Sequence, residues 1–218
     1  MEFRDVIVKR QSIRKYTDQD IPKEDILKIL DAGRIAPSGK NCQNWHFLVV
    51  TNKDLKEKIA KAITDKNEEI SKKMDEKDPE KGNRFRKFVK NFTLFYLNAP
   101  VLIIIYATNY YPSGYYEMEF AGYPQEEMDK LFIPNPGMQN IGAAVQNMSL
   151  AAVDLGYGSC WMTGQNYARE EIEAVLKEEI GFEKEGYFLA CMLSLGVPAP
   201  GNKSPGRKEL SEITTFVE

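Results

Sequence analysis

The sequence predicts one folded domain in which helices pack around a few buried strands. Three observations support that prediction. The chain has 218 residues, a length typical of a single domain. Two apolar runs, residues 99–107 and 188–196, predict strands buried on both faces. Residues 138–155 carry a broad apolar face at helical spacing and predict a long, deeply buried helix.

The bulk composition excludes several classes of protein. Hydrophobic residues make up 43% of the chain and charged residues 28%, as in ordinary soluble domains. The net charge of −3 gives no general attraction for nucleic acid. No apolar run is long enough to span a bilayer as a helix, and no signal-peptide core is visible. We therefore expect a cytoplasmic protein that acts without a membrane or a nucleic acid.

The chain offers no evident catalytic side chains or metal ligands of its own. Cys42, Cys160 and Cys191 are far apart and form no C-x-x-C, which disfavours a disulfide or a zinc site. The only histidine, His46, lies in a predicted strand, where we expect its ring to pack. There is no G-x-S-x-G elbow either.

The rest of the chain alternates shorter helices and strands. Residues 45–50 are rich in β-formers and predict a strand, and residues 52–63 predict an amphipathic helix. Residues 65–86 are charge-rich and are expected to form a mobile helix or a solvated loop. Further helices are expected at residues 5–9 and 169–179. A helix between Pro22 and Pro37 is expected to turn Ile26, Leu27, Leu30 and Ile35 inward. Another helix, ending near Asn98, is expected to pack through the stripe of Phe85, Phe88, Phe92 and Phe95.

Residues 10–14, Arg-Gln-Ser-Ile-Arg, place two guanidinium groups around a hydroxyl. On a helix Arg10 and Arg14 would share a face, and each guanidinium fits phosphate oxygens two at a time. Ser12 adds a further donor. Since the chain has neither a Walker A loop nor G-x-G-x-x-G, a bound phosphate would have to be held by side chains. The alternative is that both arginines lie on a solvated face.

Two loops carry side chains suited to a planar ligand. Residues 36–45 contain Pro, Ser, Gly and three amides, which either read the edge of a heteroaromatic ring or form an ordinary turn. Residues 108–137 interleave Tyr and Phe with prolines, glycines and acids. They form either a lid over a pocket or an insert that packs on itself or on a partner. Residues 156–164 predict a helix end, a short strand and a turn.

The C-terminal residues 198–218 are expected to form an extended arm. Residues 198–206 are rich in Pro and Gly, and the basic pair Arg207-Lys208 follows. The β-forming residues 213–217 have no neighbour in sequence with which to pair. We expect them to pair with a sheet edge, in this subunit or in another.

Five of these motifs, in this order, resemble the FMN-dependent nitroreductase family over nearly the whole chain. They are residues 10–14, Ala36-Pro37-Ser38 with Gln43-Asn44-Trp45, Gly142 to Met148, Gly156 to Trp161, and Arg207-Lys208. The resemblance implies an α+β fold with a central, mainly antiparallel sheet flanked by helices. It also implies a homodimer with FMN at the interface and a C-terminal strand exchanged to the partner.

The resemblance also implies which residues bind the cofactor. The phosphate and ribityl group would be held by Arg10, Gln11, Ser12 and Arg14, with Arg207 and Lys208 closing on the phosphate. The other subunit would supply Pro37, Ser38, Gly39, Asn41 and Gln43. Met162, Thr163 and Gly164 would lie along the isoalloxazine edge and offer backbone N–H groups near N5 and O4. The chain departs from the usual family pattern at Asn44 and Thr163, and Lys87 and Lys90 are the candidates for a cation near N1 and O2.

The activity implied by the resemblance is a two-stage exchange. NAD(P)H would pass hydride to flavin N5, and a nitroaromatic, a quinone or a similar planar acceptor would then take the electrons in a ping-pong mechanism. Alternatives on the same scaffold are reductive dehalogenation, oxidation of a ring, or destruction of the flavin. The alternative from another class is a flavin-binding protein without catalysis.

Overall fold

A four-stranded antiparallel sheet forms the centre of the protein. The computed structural model describes residues 1–218. The strands are β1 (Trp45–Val50), β2 (Val101–Thr108), β3 (Gly158–Met162) and β4 (Tyr187–Gly196), and their order in the sheet is β1–β2–β4–β3. Ile104 of β2 pairs with Leu48 on one side and with Met192 on the other. The predicted combination of helices and a mainly antiparallel sheet is therefore confirmed.

Eight α-helices surround this sheet. Short 3-10 turns cover Gly39–Asn41, Leu94–Asn98, Lys130–Phe132, Asn166–Ala168 and Leu210–Glu212. The α-helices are α1 (Phe3–Lys9), α2 (Lys23–Arg34), α3 (Lys53–Asp75), α4 (Pro79–Phe92), α5 (Tyr115–Phe120), α6 (Gln125–Asp129), α7 (Pro136–Asp154) and α8 (Arg169–Ile180). No helix of the structure combines the length and the apolar character that crossing a membrane requires.

Strand β2 divides the core into two halves. Its residues 101–107 are all at most 3% exposed, as expected for a strand covered on both faces. Because side chains alternate along a strand, Leu102 and Ile104 pack toward α3 and α8, whereas Ile103 and Ile105 pack toward α2 and α7. Burying each of these side chains contributes about 2 kcal/mol. The central position of the apolar run was therefore predicted correctly.

The Arg10–Arg14 stretch is not helical. Helix α1 ends at Lys9, and Arg10 is already extended. Ser12 forms a parallel bridge with Ser159, and the Ile13 N–H donates to the Ser159 carbonyl at 2.9 Å. Pairing with the outer edge of β3 therefore prevails over local helix formation. An extended chain nevertheless puts residues 10, 12 and 14 on one side, so the expected common face survives.

Two expectations about packing were wrong in part, and residues 65–86 follow the helical one of their two alternatives. In α2, Ile26 and Leu30 pack inward as expected, together with Ile29, but Leu27 and Ile35 are 54% and 64% exposed. Residues 65–86 belong mostly to α3 and α4, which pair as a hairpin held by Arg86 between Glu68 and Asp75. The phenylalanine stripe is not one packing face: α4 ends at Phe92, and only Phe95 is fully buried, while Phe88 and Phe92 are largely exposed.

Residues 108–137 and the C-terminal arm 198–218 form only short helices, turns and irregular structure. Residues 108–137 contain α5, α6 and a 3-10 turn, and Tyr111 packs on Tyr115 with ring centroids 4.9 Å apart. In the single chain, residues 213–217 are exposed and belong to no strand. His46 packs as expected, with its ring stacked on Phe182 at 5.8 Å.

Candidate functional site

Two glycines that pair with each other at the end of the sheet leave room for the chain that follows Arg10. Gly158 of β3 pairs with Gly196 of β4 at the end of the sheet. A Cβ on Gly158 would lie 2.4 Å from Ile13 Cγ1, and a Cβ on Gly196 would lie 2.6 Å from Tyr16 Cδ1. Only glycine admits these contacts. The absence of two side chains thus lets Ile13 and Tyr16 lie directly on the sheet.

The Tyr16 hydroxyl holds the backbone of the Arg10–Arg14 stretch through a hydrogen bond. It donates to the Ile13 carbonyl at 2.6 Å and lies 2.8 Å from the Ser194 hydroxyl. Burial raises the pKa of Tyr16 well above its usual value, although its hydrogen bond with Ser194 opposes the shift. The phenol therefore stays neutral and keeps its donor. Ile13 is 4% exposed, so the neighbouring residues 12 and 14 are turned outward.

A polar cavity of about 370 Å³ opens beside the outward side of this stretch. Such a volume lies within the range of small-molecule sites. Only one lining residue is hydrophobic; the full lining is Arg10, Ser12, Gln146, Ser149, Ser159, Trp161 and Thr163. One guanidinium and several hydroxyl groups thus face the same space, a donor set that suits a phosphorylated, hydroxylated ligand.

The buried Cys160 thiol follows Ser159 in β3, next to the bridge to Ser12. Burial raises the pKa of this thiol, while the positive charge of Arg14, the Ser12 hydroxyl and the positive charge of Arg10 oppose that rise. Three of the predicted phosphate-binding residues thus act on the electrostatics of one buried thiol. Arg14 is exposed and does not line the cavity; its guanidinium lies 5.7 Å from the ring centroid of Phe95.

Gln11 points away from this cavity. It lines a different depression together with Ile13, Gly158 and Pro198. The alternation of an extended chain explains the difference, because residues 11 and 13 share the side opposite to residues 10, 12 and 14. Within this chain Gln11 is not brought to the predicted phosphate-binding group.

The turn after β3 offers backbone rather than side chains. Met162 is 5% exposed and its side chain belongs to the core, whereas Thr163 and Gly164 are exposed. Gln165, which is fully buried, donates to the Met162 carbonyl at 3.2 Å and fixes the turn. Free N–H groups at such a turn can meet the edge of a planar ring.

The loop at residues 37–44 is ordered by side-chain amides. The Gln43 N–H donates to Ser38 Oγ at 3.0 Å, and the Gly39 N–H donates to Asn140 Oδ1 at 3.0 Å. Asn44 is 3% exposed; it donates to the Thr108 and Gly137 carbonyls and accepts from Asn140. Asn44 thus fixes the loop where the family usually has proline.

This loop lies away from the cavity in the single chain. Asn140 holds the loop, whereas Ser149 lines the cavity, and nine residues of helix amount to two and a half turns. The two groups therefore use opposite sides of α7. Within the single chain, the predicted residues Pro37, Ser38, Gly39, Asn41 and Gln43 do not line the cavity.

The remaining predicted cations are not gathered at the cavity. Lys87 and Lys90 are exposed on α4, and Lys208 is exposed on the arm. Arg207 is exposed too, and its Nη1 donates to the Pro205 carbonyl at 2.9 Å. No cluster of His, Cys, Asp and Glu in the structure is suited to hold a metal ion.

Sequence reasoning missed several residues of this site. Ser159 and Trp161 reach the cavity through the pairing of Ser12 with β3, and Gln146 and Ser149 reach it through one side of α7. The spacing of three between Gln146 and Ser149 was a usable signal, because residues three apart share a helix face.

Comparison with known proteins identifies the class. The family model described as the nitroreductase family matches residues 7–197, so the chain belongs to the nitroreductase family. A BluB-like flavoprotein from Clostridium difficile 630 is 59% identical, with a TM-score of 0.98 and full coverage of both chains. A nitroreductase with bound FMN from Bacteroides fragilis NCTC 9343 is 26% identical, with a TM-score of 0.67 and full coverage of both chains. A protein provisionally named NADH dehydrogenase/NAD(P)H nitroreductase, from Archaeoglobus fulgidus, is 31% identical over 88% of this chain and 83% of its own.

Proposed function

We propose that this protein is an FMN-dependent oxidoreductase that takes hydride from NAD(P)H and passes it to a planar acceptor. The observation that supports this most is the polar cavity at which Arg10 and Ser12 meet the turn at Thr163. The donor set fits FMN: guanidinium groups for the phosphate, hydroxyl groups for the ribityl chain, and free backbone N–H groups for the ring. FMN-containing relatives of the same fold add to the support.

When bound, FMN supplies two-electron redox chemistry through its ring. The residues of this chain bind and orient. Arg10 and Arg14 would neutralise the phosphate, and Ser12 would donate to it. The backbone N–H groups of Met162, Thr163 and Gly164 would meet the edge of the ring near N5 and O4 and orient it.

The proposed active form is a homodimer in which the loop at residues 37–43 completes the partner's site. Apolar side chains cluster on the exposed surface of the single chain, as is typical of a surface that another copy covers. On the arm, Leu210, Ile213, Phe216 and Val217 are 72%, 66%, 85% and 94% exposed. Since the arm also carries Arg207 and Lys208, its placement on a partner would bring these cations toward a phosphate.

Deleting residues 209–218 is expected to weaken the dimer and to lower its melting temperature, because four exposed apolar side chains lose their partner surface. Sedimentation at several protein concentrations measures the association directly. Full-length protein is the control. A truncated protein that stays as dimeric and as stable as the full chain would contradict the exchanged arm.

The purified protein is expected to be yellow, to release FMN on denaturation, and to oxidise NADH or NADPH when an acceptor is supplied. Anaerobic stopped-flow mixing with NAD(P)H should bleach the flavin, and a quinone, nitroaromatic or halophenol should restore its colour. Bleaching by NAD(P)H excludes a purely flavin-binding protein. Loss of the flavin spectrum in air without recovery would favour flavin destruction. A colourless protein that cannot be reconstituted with FMN would contradict the proposal.

A further inference from the structure

The backbone of Arg14 is held by a residue from the far end of the chain. Asn202 Oδ1 accepts hydrogen bonds from the N–H groups of Arg14 and Lys15 at 3.0 and 3.1 Å. Its Nδ2 donates to the carbonyls of Lys15 and Ala199 at 2.9 and 2.8 Å. A carboxamide has two N–H donors and two acceptor lone pairs, so Asn202 uses its whole capacity.

Alanine, serine and aspartate cannot replace this set of contacts. Alanine would leave two backbone N–H groups without a protein partner. Serine is too short to contact both residues 14–15 and Ala199. Aspartate could accept the two N–H bonds, but it cannot donate, and it would face the carbonyls of Lys15 and Ala199. The arrangement therefore requires a carboxamide at position 202, and it requires residues 197–202 to lie against residues 14–17.

We call the four hydrogen bonds of Asn202 the clamp. Two backbone hydrogen bonds lie beside it. Next to it, the Ala199 N–H donates to the Lys15 carbonyl at 3.0 Å, and the Thr17 N–H donates to the Val197 carbonyl at 2.9 Å. On the other side of Arg14, Ile13 is fixed to the edge of β3. Arg14 is thus the one exposed cation of the stretch whose backbone is fixed from both sides, and Asn202 makes the contact on the C-terminal side.

We infer that Asn202 is a positioning residue: its carboxamide holds the backbone of Arg14 so that the guanidinium meets the phosphate of FMN. This inference rests on the proposed function. It gives residues 197–202 a role in cofactor binding that is separate from that of the cations further along the arm. Asn202 itself need not touch the cofactor.

The test compares FMN with riboflavin, which lacks the phosphate. Full-length protein freed of flavin is titrated with each compound, and flavin fluorescence reports binding. In Asn202→Ala the Kd for FMN should rise about tenfold while the Kd for riboflavin changes less than about twofold. Asn83→Ala is the matched control, because Asn83 is exposed on α4 and its side chain makes no hydrogen bond in the structure.

A double-mutant cycle then tests the route of the effect. If Asn202 acts through Arg14, Asn202→Ala should add no further loss of FMN affinity in an Arg14→Ala background. Equal losses for FMN and riboflavin would show a general structural role and overturn the inference, as would unchanged FMN binding. If the wild-type protein itself bound FMN no better than riboflavin, both the inference and the assignment of the phosphate site would fail.

Hydrogen exchange on the unmodified protein covers the case in which Asn202→Ala does not fold. The amides of Arg14 and Lys15 should be protected to the same degree as the amide of Ile13, which donates to a strand. Fast exchange at both positions, with Ile13 protected, would mean that the clamp does not hold in solution and would overturn the inference.

Discussion

Gly158→Ala is expected to destabilise the protein by about 2 kcal/mol and to reduce its affinity for FMN. The new Cβ would lie 2.4 Å from Ile13 Cγ1 and 3.0 Å from Ile13 Cβ, and the second of these atoms cannot move without the backbone. It would also lie 2.9 Å from Pro198 Cγ. The Arg10–Arg14 stretch would have to lift from the sheet, and Ser12 would lose its pairing with Ser159.

Chemical denaturation measures the free energy of unfolding, and fluorescence titration measures FMN affinity in the same samples. Gly206→Ala is the control for stability, because a Cβ at Gly206 meets nothing within 4 Å. Should Gly158→Ala unfold at the wild-type denaturant concentration and bind FMN normally, the stretch would not be seated as described.

The sequence was most informative where a segment is long and its environment uniform. The apolar run that became β2 is buried on both faces, and the apolar face of α7 spans several turns, so their patterns admit one interpretation. The extended conformation of the Arg10–Arg14 stretch was not predicted, because the stretch is short and its conformation is set by β3, more than 140 positions later. Tertiary pairing of that kind leaves no local periodicity.

The candidate site was predictable in the same uneven way. Sequence motifs predicted three residues that line the cavity, Arg10, Ser12 and Thr163. Two further lining residues, Ser159 and Trp161, were missed because their position depends on strand register. Leu27 and Phe92 were expected to be buried because they are large and apolar at helical spacing. Both are exposed in the single chain, because a pattern of apolar residues at helical spacing does not by itself tell a core face from a surface face.

Arg14→Ala is expected to raise the Kd for FMN about thirtyfold, which corresponds to about 2 kcal/mol for a lost charged hydrogen bond. Arg14→Lys should give a smaller loss, because a lysine keeps the charge but not the planar pair of donors. The difference between wild type and Arg14→Ala should shrink as salt is added, since an exposed guanidinium is screened. Titrations at low and high ionic strength measure both effects.

Arg4→Ala is the matched control for the loss of charge. Arg4 is exposed on α1, close in sequence to the site, and its side chain makes no hydrogen bond or ion pair in the structure. If general attraction for an anion were responsible, both alanine variants would lose affinity to a similar extent. A loss confined to Arg14→Ala is the result expected if the Arg14 side chain itself contacts FMN. Unchanged affinity would remove Arg14 from the site, and the hydrogen bond from the Arg14 backbone N–H to Asn202 would then have no role in cofactor binding.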